Sequence, residues 1–174
     1  IVLAEKTAAT CKGQIVTITG EAGIGKSRLL AEFTKRHRHM ASLPCDLIEC
    51  HPAAINEISP FYPFLHFLRT VFDIQESDDD QRAFVKMQEK LSTFTDERAL
   101  KSLPYLAKLL NLTIPETLEK KIQLLDGRAV RQQLYYIFRK LITRLAQSNA
   151  LIIIFEDLQW IDDASAALIE HILP

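Results

Sequence analysis

The sequence predicts an α/β fold built on a parallel sheet, and three observations carry that prediction. A β-branched run, Gln14 to Thr19, leads into a glycine cluster followed by a segment of helical period. A second apolar run, Leu151 to Phe155, ends in two acids, Glu156 and Asp157. Between the two lie residues 52–148, in which almost every segment repeats its apolar positions at helical spacing. Strand, helices, strand is the alternation that parallel sheets require, because parallel neighbours need a long crossover.

The glycines carry the first functional signal. The chain has only five, and Gly20, Gly23 and Gly25 fall within six positions. The stretch reads Gly20-Glu21-Ala22-Gly23-Ile24-Gly25-Lys26-Ser27, the pattern G-x-x-x-x-G-K-[ST] of a phosphate-binding loop. Its flanks are the ones the chemistry needs. Residues 14–19 have strand composition, and Leu29, Leu30 and Phe33 recur at helical spacing with Lys35 to Arg38 in the last turns. In that setting backbone N–H groups converge into an anion nest at a helix N-terminus. The expected phosphate contacts run over Gly20, Glu21, Ala22, Gly23, Ile24, Gly25, Lys26, Ser27 and Arg28. Lys26 is expected to reach the β- and γ-phosphate oxygens, with a catalytic share, and the Ser27 hydroxyl to ligate Mg²⁺.

The second signal is the acid pair. A continuous apolar run suits a strand buried on both faces, and open α/β sheets bind ligands at their strand ends. Residues 151–157 therefore read as a Walker B motif. One acid holds Mg²⁺, and the other orients or deprotonates the attacking water. Position favours Glu156 for the metal and Asp157 as the base. The order departs from the common aspartate-first pattern, so the two roles stay exchangeable.

The remaining elements follow from pattern. Asp46 to Cys50 reads as a short second strand. Pro60 opens a helix with Phe61, Phe64, Leu65 and Leu68 apolar, and the aromatic group of Phe61, Tyr62, Phe64 and Phe67 reads as core. Further helices carry Phe84, Met87, Leu91 and Phe94, then Leu106, Leu109 and Leu110. The clearest runs from Gly127 to Gln147, with Val130, Leu134, Ile137, Phe138, Leu141 and Leu145 on one stripe. Asp78-Asp79-Asp80 reads as an acidic helix start. Asp162 reads as the N-cap of a helix over 163–173, and Trp160 as a packing anchor.

Composition removes several classes. Apolar residues make up 48% of the 174 residues, enough for a core. A net charge of -1 lacks the footprint of a nucleic-acid binder, so no direct nucleic-acid binding is expected. No apolar run approaches the roughly 20 residues of a membrane span. Three cysteines and no secretory pattern fit a reducing, cytoplasmic setting. His37, His39, Cys45, Cys50 and His51 offer metal-binding chemistry, but the Cys-x4-Cys-His spacing is irregular and sets no zinc site.

Gly-Glu-Ala-Gly-Ile-Gly-Lys-Ser-Arg-Leu-Leu from Gly20, together with Glu156-Asp-Leu-Gln-Trp-x-Asp-x-x-Ser165, resembles the AAA-like ATPase module of signal-transduction ATPases with numerous domains (STAND). The resemblance is nearest to modules attached to class III adenylate/guanylate cyclases, large transcriptional activators and some serine/threonine kinases. It covers 13–33 and 150–170 strongly. Cys50-His-Pro and Ser59-Pro-Phe-Tyr-Pro-Phe are similar to the family's second-strand exit and next helix, and Gln159 stands where the family usually has histidine. The resemblance implies a P-loop NTPase (ASCE/AAA-like) sheet of order 5-1-4-3-2, with another strand between the P-loop and Walker B strands. It implies ATP and Mg²⁺ as cofactors, ATP rather than GTP, slow hydrolysis used as a regulatory switch, and effector domains of cyclase, DNA-binding or kinase type on the same longer chain. A nucleotide-dependent oligomer is compatible with it.

The chain is accordingly expected to be the N-terminal part of one P-loop ATPase domain, with Walker A at 20–27, a helical insertion over about 52–148 and Walker B at 151–157. It is expected to be truncated before the fourth strand, and residues 1–12 read as the end of a helix already under way. Without that strand, the first and third strands are expected to lack ladder partners, and isolated 1–174 to be marginally stable or to aggregate. Two other functions remain open at this point: a regulatory module that holds nucleotide without significant hydrolysis, and a P-loop small-molecule kinase.

Overall fold

The computed structural model describes residues 13–38, 45–51, 60–94, 96–123 and 126–173. The expected helix end within 1–12, as well as His39 and Ser59, lies outside them. Helix α1 spans Lys26–Arg38 and strand β1 Cys45–Cys50. Six helices follow: α2 Tyr62–Val71, α3 Asp80–Ser92, α4 Glu97–Lys101, α5 Leu103–Leu109, α6 Glu116–Gln123 and α7 Gly127–Ser148. Strand β2 is Ala150–Phe155, a 3₁₀ turn covers Leu158–Trp160, and α8 is Asp163–Ile172.

β1 and β2 pair in parallel, in the register Cys45↔Ala150 to Cys50↔Phe155. Because side chains alternate along a strand, this register sorts them onto two faces. Ile48, Cys50, Ile153 and Phe155 share one face and belong to the helix-packed core. α2 packs on β1, and α7 packs on both β2 and α8. The centre is aromatic: Phe64 meets Phe138 edge-on at 5.0 Å and Phe155 at 5.5 Å, while Phe67 lies 6.0 Å from Phe138. Phe64, Phe67 and Phe138 are all buried, as the spacing predicts for Phe64 and Phe67. Truncating such a phenylalanine to alanine costs about 3–5 kcal/mol.

The caps explain where the helices start. Asp79, Asp96 and Asp126 have extended backbones and accept from Arg82, Arg98 and Ala129 N–H, respectively. The acidic run at 78–80 is a helix start, and it also ties elements together. Asp78 takes Lys86 Nζ at 2.6 Å, and Asp80 takes both the N–H and the hydroxyl of Thr113. In α7, the stripe of Leu134, Ile137, Phe138 and Leu141 is buried as its periodicity predicts.

Two expectations about the strands fail. The run at 151–155, expected to lack a ladder partner, pairs with β1 along its whole length. Residues 14–19 form no strand: they are exposed, with Ile15 at 62%, Val16 at 64% and Ile18 at 41%. A β-branched run becomes a strand only when a neighbour supplies ladder bonds, and among the described residues β2 pairs with β1 alone. The composition is strand-like, but among the described residues no strand pairs with it.

Candidate functional site

The first half of the site is the turn into α1. Gly23 (φ +80) and Gly25 (φ +103) hold backbone conformations that L side chains rarely adopt. At Gly20 the backbone makes no such demand: a Cβ there would lie 3.0 Å from Cγ2 of the exposed Ile24 side chain, which has room to move. The turn is closed by Ile24 N–H donating to Glu21 O at 3.4 Å, and the helix starts with Leu29 N–H donating to Gly25 O at 2.9 Å. Lys26 Nζ folds back over the turn and donates to Gly20 O and Glu21 O, both at 2.9 Å. The ammonium therefore sits over the loop, held only by carbonyl oxygens that an anionic oxygen would outcompete. Ala22, Ser27 and Arg28 are exposed around the same turn. Two positive-φ glycines, a helix N-terminus and a lysine above them are the parts an anion nest requires, so these residues fit a polyphosphate.

The second half is the tip of the sheet. Glu156 N–H donates to Cys50 O at 3.2 Å, which carries the ladder one residue beyond Phe155. Asp157 then enters the left-handed region (φ 50) and ends the strand. The strained residue is the second acid, which is exposed, and its Oδ1 accepts from Gln159 Nε2 at 3.1 Å. Non-glycine residues in this region concentrate at functional sites. Glu156 points elsewhere: its Oε1 lies 3.7 Å from His51 Nδ1.

After the tip the chain is clamped. Asp162 caps α8 as its spacing predicts, accepting from Ser165 N–H at 2.9 Å and from the Ser165 hydroxyl at 2.6 Å. The same Oδ1 accepts from Phe61 N–H at 3.2 Å, which joins the start of α2 to the start of α8. Trp160 overturns the packing-anchor expectation. It is 70% exposed, because the turn at Asp157 carries residues 158–160 out past the end of the sheet.

Among the described residues, no hydrogen bond or ion pair joins residues 20–28 to Glu156 or Asp157. The structure instead brings Glu49 and His51 to Glu156, a grouping the sequence reading did not make. The signal was present in Glu49-Cys50-His51, whose outer members share a face, but reading it requires the β1–β2 register. Cys50 points to the opposite face, and burial pushes its thiol up to about 12. Among the described residues, the cysteines and histidines do not gather into one metal-binding group.

A glycine turn of this shape opening a helix, with paired acids at the tip of a parallel strand, defines the P-loop class of nucleotide-binding domains. The family profile of the AAA ATPase domain matches residues 2–174, and the chain belongs to that family. ATP with Mg²⁺ is the general ligand of AAA ATPases. No curated protein and no solved structure matches the chain. Among the described residues, no helix is long and apolar enough to cross a membrane.

Proposed function

We propose that this chain is a STAND-type signal-transduction module that binds ATP·Mg²⁺ and uses slow hydrolysis as a regulatory switch within a larger protein. The observation that carries the reading is the Gly20–Ser27 turn, with two glycines at positive φ beneath the Lys26 ammonium. In this reading the amides of residues 21–27 surround the β-phosphate, and Lys26 exchanges its carbonyl partners for β- and γ-phosphate oxygens. Ser27 and Glu156 would hold the metal, which supplies charge neutralisation between the phosphates. Asp157 acts on the attacking water, with the exchange of roles between the two acids still open.

The test is labelled-ATP binding with Mg²⁺. Hydrogen bonds to charged groups contribute about 1.5–3 kcal/mol, so Lys26→Ala should weaken binding roughly 10- to 150-fold. Unchanged affinity refutes the loop assignment. Asp157→Asn in the full-length protein should abolish turnover while ATP is retained, and wild-type turnover transfers the base role to Glu156.

One observation favours a second reading, in which nucleotide is held without turnover. The Asp157 carboxylate is already engaged by Gln159, at the position where the resembled family usually has histidine. Single-turnover hydrolysis separates the two. Effector domains on the same chain and a nucleotide-dependent oligomer remain part of the proposal through the resemblance.

A further inference from the structure

We infer that Glu49, His51 and Glu156 form a binding site for a divalent transition-metal ion of the zinc class, separate from the glycine turn. The parallel register builds the cluster. Cys50 pairs with Phe155, so His51 falls opposite Glu156, and Glu49 sits two residues back on the same face. One ligand atom from each residue lies within 4.8 Å of the other two. His51 Nδ1 lies 3.7 Å from Glu156 Oε1, and His51 Nε2 lies 3.9 Å from Glu49 Oε2.

These separations exceed hydrogen-bond length. They are close to the spacing of ligands around one ion: zinc bonds of about 2.0–2.2 Å at tetrahedral angles put neighbouring donors roughly 3.3–3.6 Å apart. A single ion takes only one ring nitrogen, so His51 would choose one edge and the far carboxylate would close the remaining gap by a rotamer adjustment. Glu49 lies within β1, and the Glu156 N–H extends the ladder, so sheet hydrogen bonds fix the backbone at both carboxylates. The carboxylates are largely shielded, with side chains 27% and 17% exposed, while His51 at 52% leaves a face open to solvent for a fourth ligand. One imidazole with two carboxylates is a nitrogen–oxygen donor set that suits Zn²⁺, Co²⁺ or Mn²⁺, whereas Mg²⁺ prefers oxygen alone. The buried thiol of Cys50 faces the other way and takes no part.

The inference does not rest on the nucleotide reading. If that reading also holds, Glu156 belongs to both sites, and an ion here opposes the magnesium–nucleotide complex.

The experiment is calorimetric titration of the full chain with ZnCl₂ alone, without nucleotide or magnesium, followed by Co²⁺ absorption spectroscopy. One saturable site is expected. His51→Ala and Glu49→Gln should each weaken it by at least about tenfold. His66→Ala, at the histidine whose ring lies 6.4 Å from that of His51, should not weaken it. The cobalt spectrum should lack thiolate charge-transfer bands. Lys26→Ala should leave zinc affinity unchanged, so failure of the nucleotide reading and failure of this one are seen separately. No saturable binding, wild-type affinity in both His51→Ala and Glu49→Gln, or thiolate bands in the cobalt spectrum would each overturn the assignment. Far-UV circular dichroism of each variant guards against misfolding, and His51→Gln supplies a variant of similar bulk at an exposed position.

Discussion

Asp162→Ala tests how the end of the sheet is fastened to the helices. Asp162 serves three donors at once: Ser165 N–H, the Ser165 hydroxyl and Phe61 N–H. Loss of an N-cap aspartate costs about 0.5–2 kcal/mol. The other two donors have no alternative within reach of water, because Ser165 is fully buried and Phe61 is 7% exposed. Leaving a buried donor without a partner costs about 1–3 kcal/mol, of which the half-buried setting of Asp162 retains the lower part for each. The sum is roughly 2–4 kcal/mol. At a urea slope of about 2 kcal/mol per molar, the unfolding midpoint falls by about 1–2 M, read by far-UV circular dichroism. Asp162→Asn keeps an acceptor for the cap and should recover at least half of that loss. A shift below about 0.3 M for the alanine variant would refute the reasoning and leave Asp162 as an ordinary surface acid. ATP affinity at saturating stability should change far less than for Lys26→Ala, since Asp162 faces helix starts and not the glycine turn.

The remaining predictions concern the turn and the helices. Gly25→Ala places a Cβ on a residue at φ +103, a strain of about 1–3 kcal/mol that the exposed loop relieves by changing shape, so ATP binding should weaken roughly 5- to 150-fold with helicity unchanged. Unaltered ATP affinity would mean that the loop conformation is not the binding conformation. Asp78, Asp80 and Asp96 all titrate below the ordinary aspartate range in the folded chain. For Asp78 the cause is first the Lys86 hydrogen bond and then the Gln75 N–H; for Asp80 it is the Thr113 hydroxyl and N–H; for Asp96 it is Tyr136 and then the Arg98 N–H. Depressed folded values mean that their stabilisation is complete above the ordinary aspartate value of 3.8 and is lost as pH falls through the folded values. The urea midpoint should therefore hold between pH 7 and about 5 and fall below roughly pH 4, and Asp96→Asn should flatten that fall. A midpoint that declined between pH 7 and 5 would point to other groups.

Local physics was legible in the sequence, and non-local pairing was not. The stripe of α7, the apolar side of α2 and the acidic helix start at 78–80 were readable because each depends on residues close in sequence. Asp162 was readable as a cap for the same reason, but its grip on Phe61 was not, since 101 positions separate them. Residues 14–19 were misread because β-branched composition reports fitness for a sheet and says nothing about a partner. Trp160 was misread because aromatic residues are usually buried, and the left-handed turn at Asp157 that carries it outward has no composition signal. The glycine turn was legible because its φ values demand glycine wherever the motif occurs. The neighbours of Glu156 were not, because they come from a register that only the folded sheet defines.

The same register bears on how a signal could leave this site. Phe155 ends β2 against Phe64 of α2, and Asp162, seven residues later, holds the N–H of Phe61 at the start of the same helix. Glu156 and Asp157 lie between those two fastenings. A displacement of the strand tip therefore has two routes to α2, through the Phe155–Phe64 contact and through Asp162. Close packing at Phe64, Phe67 and Phe138 favours transmission over dissipation, because such a core deforms in discrete steps. In the proposed switch, metal and phosphate would pull on Glu156 and Asp157, and α2 is fastened on both sides of that pair. Hydrogen exchange supplies the check. Amides of residues 62–71 should change protection on addition of ATP·Mg²⁺ in the wild-type chain and lose that response in Asp162→Ala. An unchanged response in the variant would show that the Phe155–Phe64 contact alone carries the coupling.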